Sequence, residues 1–344
     1  MTKREPGLDL LRCLAFLLVV VYHSFLFNGF FYQSQTGAAM WLADSVRWFS
    51  ASCNGIFMML TGYLRTGNTS IRSSCRSMGS ALLGYLLASI ITIPIRHFAF
   101  GDVQTFSVWI TRLFSFSAVY YGWYVEMYIG LVLLSPFVNM VLERLRGTRQ
   151  LLIFAAVMLL LTALPGATPL GIVPDYWRSL YPLTYYVLGG VIRRIQPKIS
   201  PWVGILGAVA VALLLGGATV LSTDGGYKEG LSWDFPDIFI VMICLGLFLA
   251  FYRLQIPPTI GKGLAFCAGG CFGGYLLSHL LDGWCYRLVS AWHKPAYYPL
   301  ITLCISIPIF LCSILGGRLL QKLTDRLLGK GKKTSALQNS KNLP

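Results

Sequence analysis

Residues 7–30 read GLDLLRCLAFLLVVVYHSFLFNGF. The run is apolar over roughly 20 residues, the length that crosses a bilayer as a helix. Asp9, Arg12 and His23 interrupt it. Lys3 and Arg4 precede it, as basic residues precede a secretory signal. A signal's apolar region, however, is shorter, holds no ionisable groups and ends at a small-residue cleavage site that this stretch lacks. It reads as a retained first helix. At about 100° per residue, the steps from Arg12 to His23 complete three turns plus roughly 20°, so both side chains share one face about 16 Å apart along the axis. Asp9 lies one turn before Arg12, within reach of an ion pair. The stripe Asp9, Arg12, Phe16, Val19, His23 thus puts a charge pair near one membrane face and an imidazole towards the other. Ionisable groups in a span are costly and mark a site or a pathway. The competing reading is that Arg12 snorkels to the interface and His23 bonds a neighbouring helix.

The rest of the chain extends this reading. Of its 344 residues 56% are hydrophobic and only 12% charged, too apolar for a soluble fold. Apolar segments of spanning length fall near 8–29, 40–64, 79–98, 119–142, 151–166, 179–194, 202–222, 236–253, 264–285 and 297–320. They predict an all-α polytopic membrane protein of about ten transmembrane helices, the sixth being short. With the N-terminus inside, 20 Lys and Arg fall on cytoplasmic segments and 7 on external ones, Arg12 set aside. The asymmetry holds loop by loop and predicts that both termini are cytoplasmic. The same rule, with attraction to anionic lipid, accounts for the net charge of +15. It is no argument for nucleic acid, and no nucleic-acid module is present.

Connections are short, the longest external ones falling at about 97–118 and 223–235, so residues 1–328 read as one membrane domain, followed by a basic, disordered cytoplasmic tail at 329–344. The nine cysteines form no Cys/His set with metal-ligand spacing. They read as packing residues, and no bound metal or cofactor is expected. Gly269, Gly270, Gly273 and Gly274 fit close helix packing and lack the context of a phosphate-binding loop.

Several segments carry a family likeness. LDLLRCLAFLLVVVYH at 8–23 resembles the first helix of the acyltransferase-3 family, whose spaced basic residue and histidine fall on Arg12 and His23. NGIFMMLTGYL at 54–64 is similar to a second family segment, with Thr61 where Ser is usual. WYVEMYIGLVLLSPFVN at 123–139, YPLTYYVLGGVIRR at 181–194 and FGGYLLSHLLD at 272–282 are similar too, so the resemblance runs over most of the chain. Arg72 and Arg76 sit four apart where the family's cytoplasmic arginines sit three apart, and the interval from Tyr275 to His279 is one residue longer than the family's. The resemblance implies a multi-pass enzyme of the bacterial inner membrane that moves an acyl group, acetyl above all, from acyl-coenzyme A to a hydroxyl of a surface or lipid-linked glycan.

The residues suit that chemistry. A neutral histidine can take the proton of an acceptor hydroxyl, which makes His23 the candidate base or acyl relay. Arginines at the cytoplasmic face suit the phosphates of coenzyme A, so Arg72, Arg76 and Arg12 are candidate donor ligands. Glu126, expected about two turns into its span beside Trp123 and Tyr124, could orient the imidazole, bond sugar hydroxyls or pair with an arginine. Asn54, His97, His279 and Asp282 are lesser candidates, as is Asp9 through its pairing with Arg12. Aromatics at 120–128, 176–186 and 284–298 fit interfacial belts better than sugar stacking. Two further classes stay open: a transporter of an amino acid or glycan intermediate, and a non-catalytic assembly or sensor protein. No internal repeat favours the transporter.

Overall fold

A computed structural model of the chain describes residues 5–164, 173–222, 235–289 and 297–329. The polar tail from 330 onward, Lys3 and Arg4, and most of the expected external loop at 223–235 lie outside the described residues. Among the described residues there is no strand, and the all-α expectation holds.

The first helix, α1, runs Pro6–Phe27. Proline in its first turn costs no hydrogen bond, because the first amides of a helix have no partner within it. Most of its surface is covered, with Leu11, Ala15, Phe16 and Val20 fully buried. It packs against five other helices: α2 (Gly37–Ser50), α3 (Cys53–Arg65), α10 (Ile238–Phe251), α11 (Pro258–Val289) and α12 (Tyr298–Leu327). α1 is therefore the hub of the bundle, which is where ionisable groups on a span are shielded from lipid.

Around it lie α4 (Ile71–Phe98), α6 (Trp123–Arg144), α7 (Thr148–Thr162), α8 (Tyr181–Ile195) and α9 (Pro201–Ser222). A short surface helix, α5 (Phe106–Phe114), buries only Trp109. It occupies a stretch expected to be an external loop. The ten apolar segments fall on helices wherever they are described, but among the described residues only α1, α4, α6, α9, α11 and α12 are long and apolar enough to cross a membrane. α7 and α10 are apolar and shorter. The segment expected as one span at 40–64 is two helices, because the chain turns at Ala51–Ser52. There the Ser50 and Ser52 hydroxyls donate to the carbonyls of Arg47 and Phe49, both at 2.7 Å, a local bonding that competes with helix continuation.

Glycines let several pairs of helices approach closely. A Cβ on Gly62 of α3 would lie 2.0 Å from the Tyr186 carbonyl oxygen, and one on Gly189 of α8 would lie 2.0 Å from that of Met59. Gly273 of α11 meets Gly317 of α12 backbone to backbone. The packing role expected for the glycines of 269–274 is thus realised, by the small-residue contact that membrane helices use.

Candidate active site

Two cavities open at opposite ends of α1 and α11. The first, of about 650 Å³, is basic. Arg12 from α1, Arg65 from the end of α3, Arg76 from the start of α4 and Arg318 from α12 reach its wall. Each helix brings to this end of the bundle the basic residue that its own sequence carries there. Arg12 keeps the expected pair with Asp9 at 3.3 Å. Arg65 is fixed by the hydroxyls of Ser74, Ser77 and Ser135 at 2.6, 2.9 and 3.2 Å. The Arg318 side chain lies over Gly269 and Gly270, where any Cβ would collide with it, and faces the Phe266 ring at 4.9 Å. Thr61 also lines this cavity and donates its hydroxyl to the Phe57 carbonyl at 2.9 Å. Four guanidinium groups against one carboxylate, Asp325, leave the hollow positive and make it a receptor for a multiply charged anion.

The second cavity, of about 570 Å³, lies at the other end. Its lining includes Phe27, Asn28, Phe100, Tyr120, Tyr121, His279, Asp282 and Tyr286. Here aromatic walls surround an imidazole and a carboxylate. The Tyr121 ring lies parallel to the His23 imidazole, 4.0 Å between centroids and 3° between planes. Its hydroxyl donates to Asp282 Oδ2 at 2.5 Å. His279 meets the same ring edge-on at 5.7 Å. Buried Tyr121 thus ties the imidazole of α1 to the carboxylate of α11. His23 Nδ1 is buried without a hydrogen-bond partner, and the residue keeps 8% of its surface open.

Tyrosines separate the two hollows. Tyr124 and Tyr275 line the basic cavity and Tyr121 the other. Ring centroids of Tyr124 and Tyr275 are 5.3 Å apart, and those of Tyr275 and Tyr121 are 5.5 Å apart. One partition of three rings therefore stands between the guanidinium groups and the imidazoles.

The loop that carries Tyr120 and Tyr121 is held from outside. Arg96, at the end of α4, donates to the carbonyls of Ser117 and Ala118 at 3.0 and 2.8 Å and faces the Tyr120 ring at 4.2 Å. Asp102 bridges Arg96 and Arg112 at 2.6 and 2.7 Å. Burial disfavours the Asp102 charge, but hydrogen bonds from Gln104, Arg112 and Arg96 outweigh it and hold the carboxyl below its ordinary range.

The residues expected from sequence are only partly brought together. Arg12, Arg76 and Tyr124 line the basic cavity, and His279 and Asp282 line the other. Arg72 is exposed on the turn beside Arg76 and reaches neither wall. Glu126 lies in the first turn of α6, because that helix starts only at Trp123, and its side chain is exposed. Asn54 is buried in the first turn of α3, away from both linings. Trp123 stacks on Phe235 with centroids 6.0 Å apart. His97 stands edge-on to Phe98 near the end of α4. Tyr121, Arg65 and Arg318 were not anticipated as site residues, since the tyrosine fits an interfacial belt and the arginines fit the charge rule of cytoplasmic segments. No local signal distinguishes them.

No curated protein and no solved structure matches the chain. A family model described as an acyltransferase domain matches residues 5–318, from the residue before α1 to the arginine of α12 in the basic cavity. That range takes in the second cavity, the partition and the lining of the basic cavity up to Arg318, leaving Leu320, Gln321, Thr324 and Asp325 beyond it, and the chain belongs to the acyltransferase-3 family, as a membrane acyltransferase.

Proposed function

We propose that this protein is an O-acyltransferase of the bacterial inner membrane, taking acetyl from acetyl-coenzyme A to a hydroxyl of a surface or lipid-linked glycan. The observation that carries the reading is the pair of cavities back to back on α1 and α11, with guanidinium groups on one side of the tyrosine partition and, on the other, the His279 imidazole in the wall and His23 stacked behind it on the wall's Tyr121. The donor's phosphates sit among Arg12, Arg65, Arg76 and Arg318, at the cytoplasmic end. The thioester points to the partition, and the acceptor enters the opposite cavity.

His23 is the base of this scheme. Stacked on Tyr121, its ring is held in one plane, which removes the rotational freedom that proton transfer would otherwise have to freeze. The acceptor oxygen attacks the thioester carbonyl carbon while the imidazole takes its proton. The carbon–sulfur bond then breaks, and the thiolate leaves and is protonated. In the relay version the imidazole is acylated first and passes the group on. Either version makes transfer depend on the ring nitrogen.

The test uses the purified chain in lipid nanodiscs with radiolabelled acetyl-coenzyme A and a glycan acceptor. Label should move to the acceptor, and replacing His23 by Gln should slow the transfer about 100- to 10,000-fold. Uptake of substrate into proteoliposomes without thioester consumption would replace the enzyme reading with a transporter.

A further inference from the structure

The outer cavity holds two hydrogen-bond acceptors that the protein leaves unused. His279 is 5% exposed, and its Nδ1 lies 3.2 Å from the Leu276 carbonyl oxygen. A carbonyl can only accept, so Nδ1 carries the proton and the neutral ring presents its lone pair at Nε2. That Nε2 is buried without a partner. Asp282 is 3% exposed and gives one oxygen, Oδ2, to the Tyr121 hydroxyl. Its other oxygen, Oδ1, is also buried without a hydrogen bond, because the hydroxyl of neighbouring Tyr286 is given to the Val20 carbonyl at 3.1 Å. Three residues apart on α11, the two side chains stand side by side on one face, with Cβ atoms about 5–6 Å apart. Buried polar atoms of a folded protein are nearly always hydrogen-bonded, so two neighbouring orphans on one cavity wall mark a place where a ligand completes the set.

Both orphans accept, so the ligand must donate twice at neighbouring positions. Most of the remaining wall is the rings of Phe27, Phe100, Tyr120, Tyr121 and Tyr286, which suit an apolar C–H face, with Asn28 and two glycines between them. We propose that His279 Nε2 and Asp282 Oδ1 dock two adjacent hydroxyls of the acceptor, so that the outer cavity selects a vicinal diol carried on a ring. This names the acceptor chemistry of the acyltransferase reading and rests on that reading only for the transfer step after binding. In this arrangement His279 and Asp282 are binding residues, and proton transfer stays with His23.

The experiment measures binding without an acyl donor. The full chain in nanodiscs is titrated calorimetrically with a methyl pyranoside bearing free vicinal hydroxyls, and with its monodeoxy analogue lacking one of them. The pyranoside should bind at least tenfold more tightly than the analogue. His279→Gln and Asp282→Asn should each weaken it by 10- to 100-fold and erase the preference, while acetyl-coenzyme A binding is retained and reports an intact fold. If Asp282→Asn loses donor binding through misfolding, His279→Gln decides alone. Equal binding of the two sugars by the unmodified chain, no binding of either, or unaltered binding and preference in His279→Gln would each overturn the proposal. Acyl transfer is read separately in the same preparation: its absence with diol selection intact removes the acyltransferase scheme and leaves the docking site.

Discussion

At the scale of single residues, the site turns on Tyr121, whose ring and hydroxyl do different work. The ring fixes the plane of His23 and the hydroxyl satisfies one oxygen of a buried carboxylate. Tyr121→Phe keeps the stack and removes the donor, leaving Asp282 Oδ2 buried and unpaired. The loss of a hydrogen bond to a charged group, roughly 1.5–3 kcal/mol, should appear as a lower melting temperature with the His23-dependent step retained. His23 itself separates two roles. His23→Gln cannot take a proton at neutral pH and should lower turnover by about 100- to 10,000-fold in the labelled-acetyl assay, with normal insertion. His23→Phe keeps a ring against Tyr121, so it should be as inactive as the Gln variant. Activity within tenfold of normal in His23→Phe would mean that only the stack matters. The Asp9–Arg12 pair was expected from spacing alone and is present at 3.3 Å.

At the scale of elements, two devices hold the helices in place. Close crossings depend on the absence of side chains, so Gly189→Ala forces a methyl into the Met59 carbonyl and should cost about 1–3 kcal/mol by overpacking. Retained thermal stability in detergent would show that α3 and α8 can separate without penalty. The second device is the Arg96–Asp102–Arg112 bridge that fixes the loop carrying Tyr121. The folded Asp102 carboxyl is held below its ordinary value, so it binds its proton less readily folded than unfolded. Its stabilising effect is therefore complete above the ordinary carboxylate range and fades as pH falls through the lowered folded value. Limited proteolysis between α4 and α6 should accelerate as the medium is acidified. In Asp102→Asn that acid dependence should vanish, with faster cleavage already at neutral pH.

At the scale of the whole molecule, the basic cavity collects arginines from four helices, so it ties together chain ends that sequence treats separately. Arg12 of α1, the end of α3, the first turns of α4 and the last third of α12 meet at that cavity. If the C-terminus is cytoplasmic, the donor cavity is cytoplasmic too. Reporter fusions following residue 329 and in the 66–70 turn should give the same sidedness, and opposite signals would break the assignment of donor and acceptor ends. Among the arginines, Arg65→Ala and Arg318→Ala should each raise the donor Michaelis constant about 10- to 100-fold, the effect of losing one charge-assisted contact. Arg72→Ala should leave it unaltered, because that side chain is exposed away from the wall. Donor kinetics that respond to Arg72 and ignore Arg318 would move the site out of the cavity.

Hydrophobic run length is a property of neighbouring residues, so most of the helices and the buried Asp9 and His23 of α1 were legible in the sequence by itself, while the break at Ala51–Ser52 and the short α5 were not. Arg12 and His23 stood out for the same reason, as ionisable groups inside one apolar run. What only the tertiary structure decided is which side chains from distant helices meet. A helix that is apolar all round, as α10 is, carries no stripe that says which face turns inward. Thus nothing local reveals that Arg318 faces the cavity of Arg12, or that Glu126 faces away from it. Nothing local reveals either that Tyr121 stands between His23 and Asp282. Those contacts arise from how glycine-lined crossings and the Arg96 bridge set the helices and one loop against each other, and packing of that kind is fixed by shape across the bundle, not by any pattern along the chain.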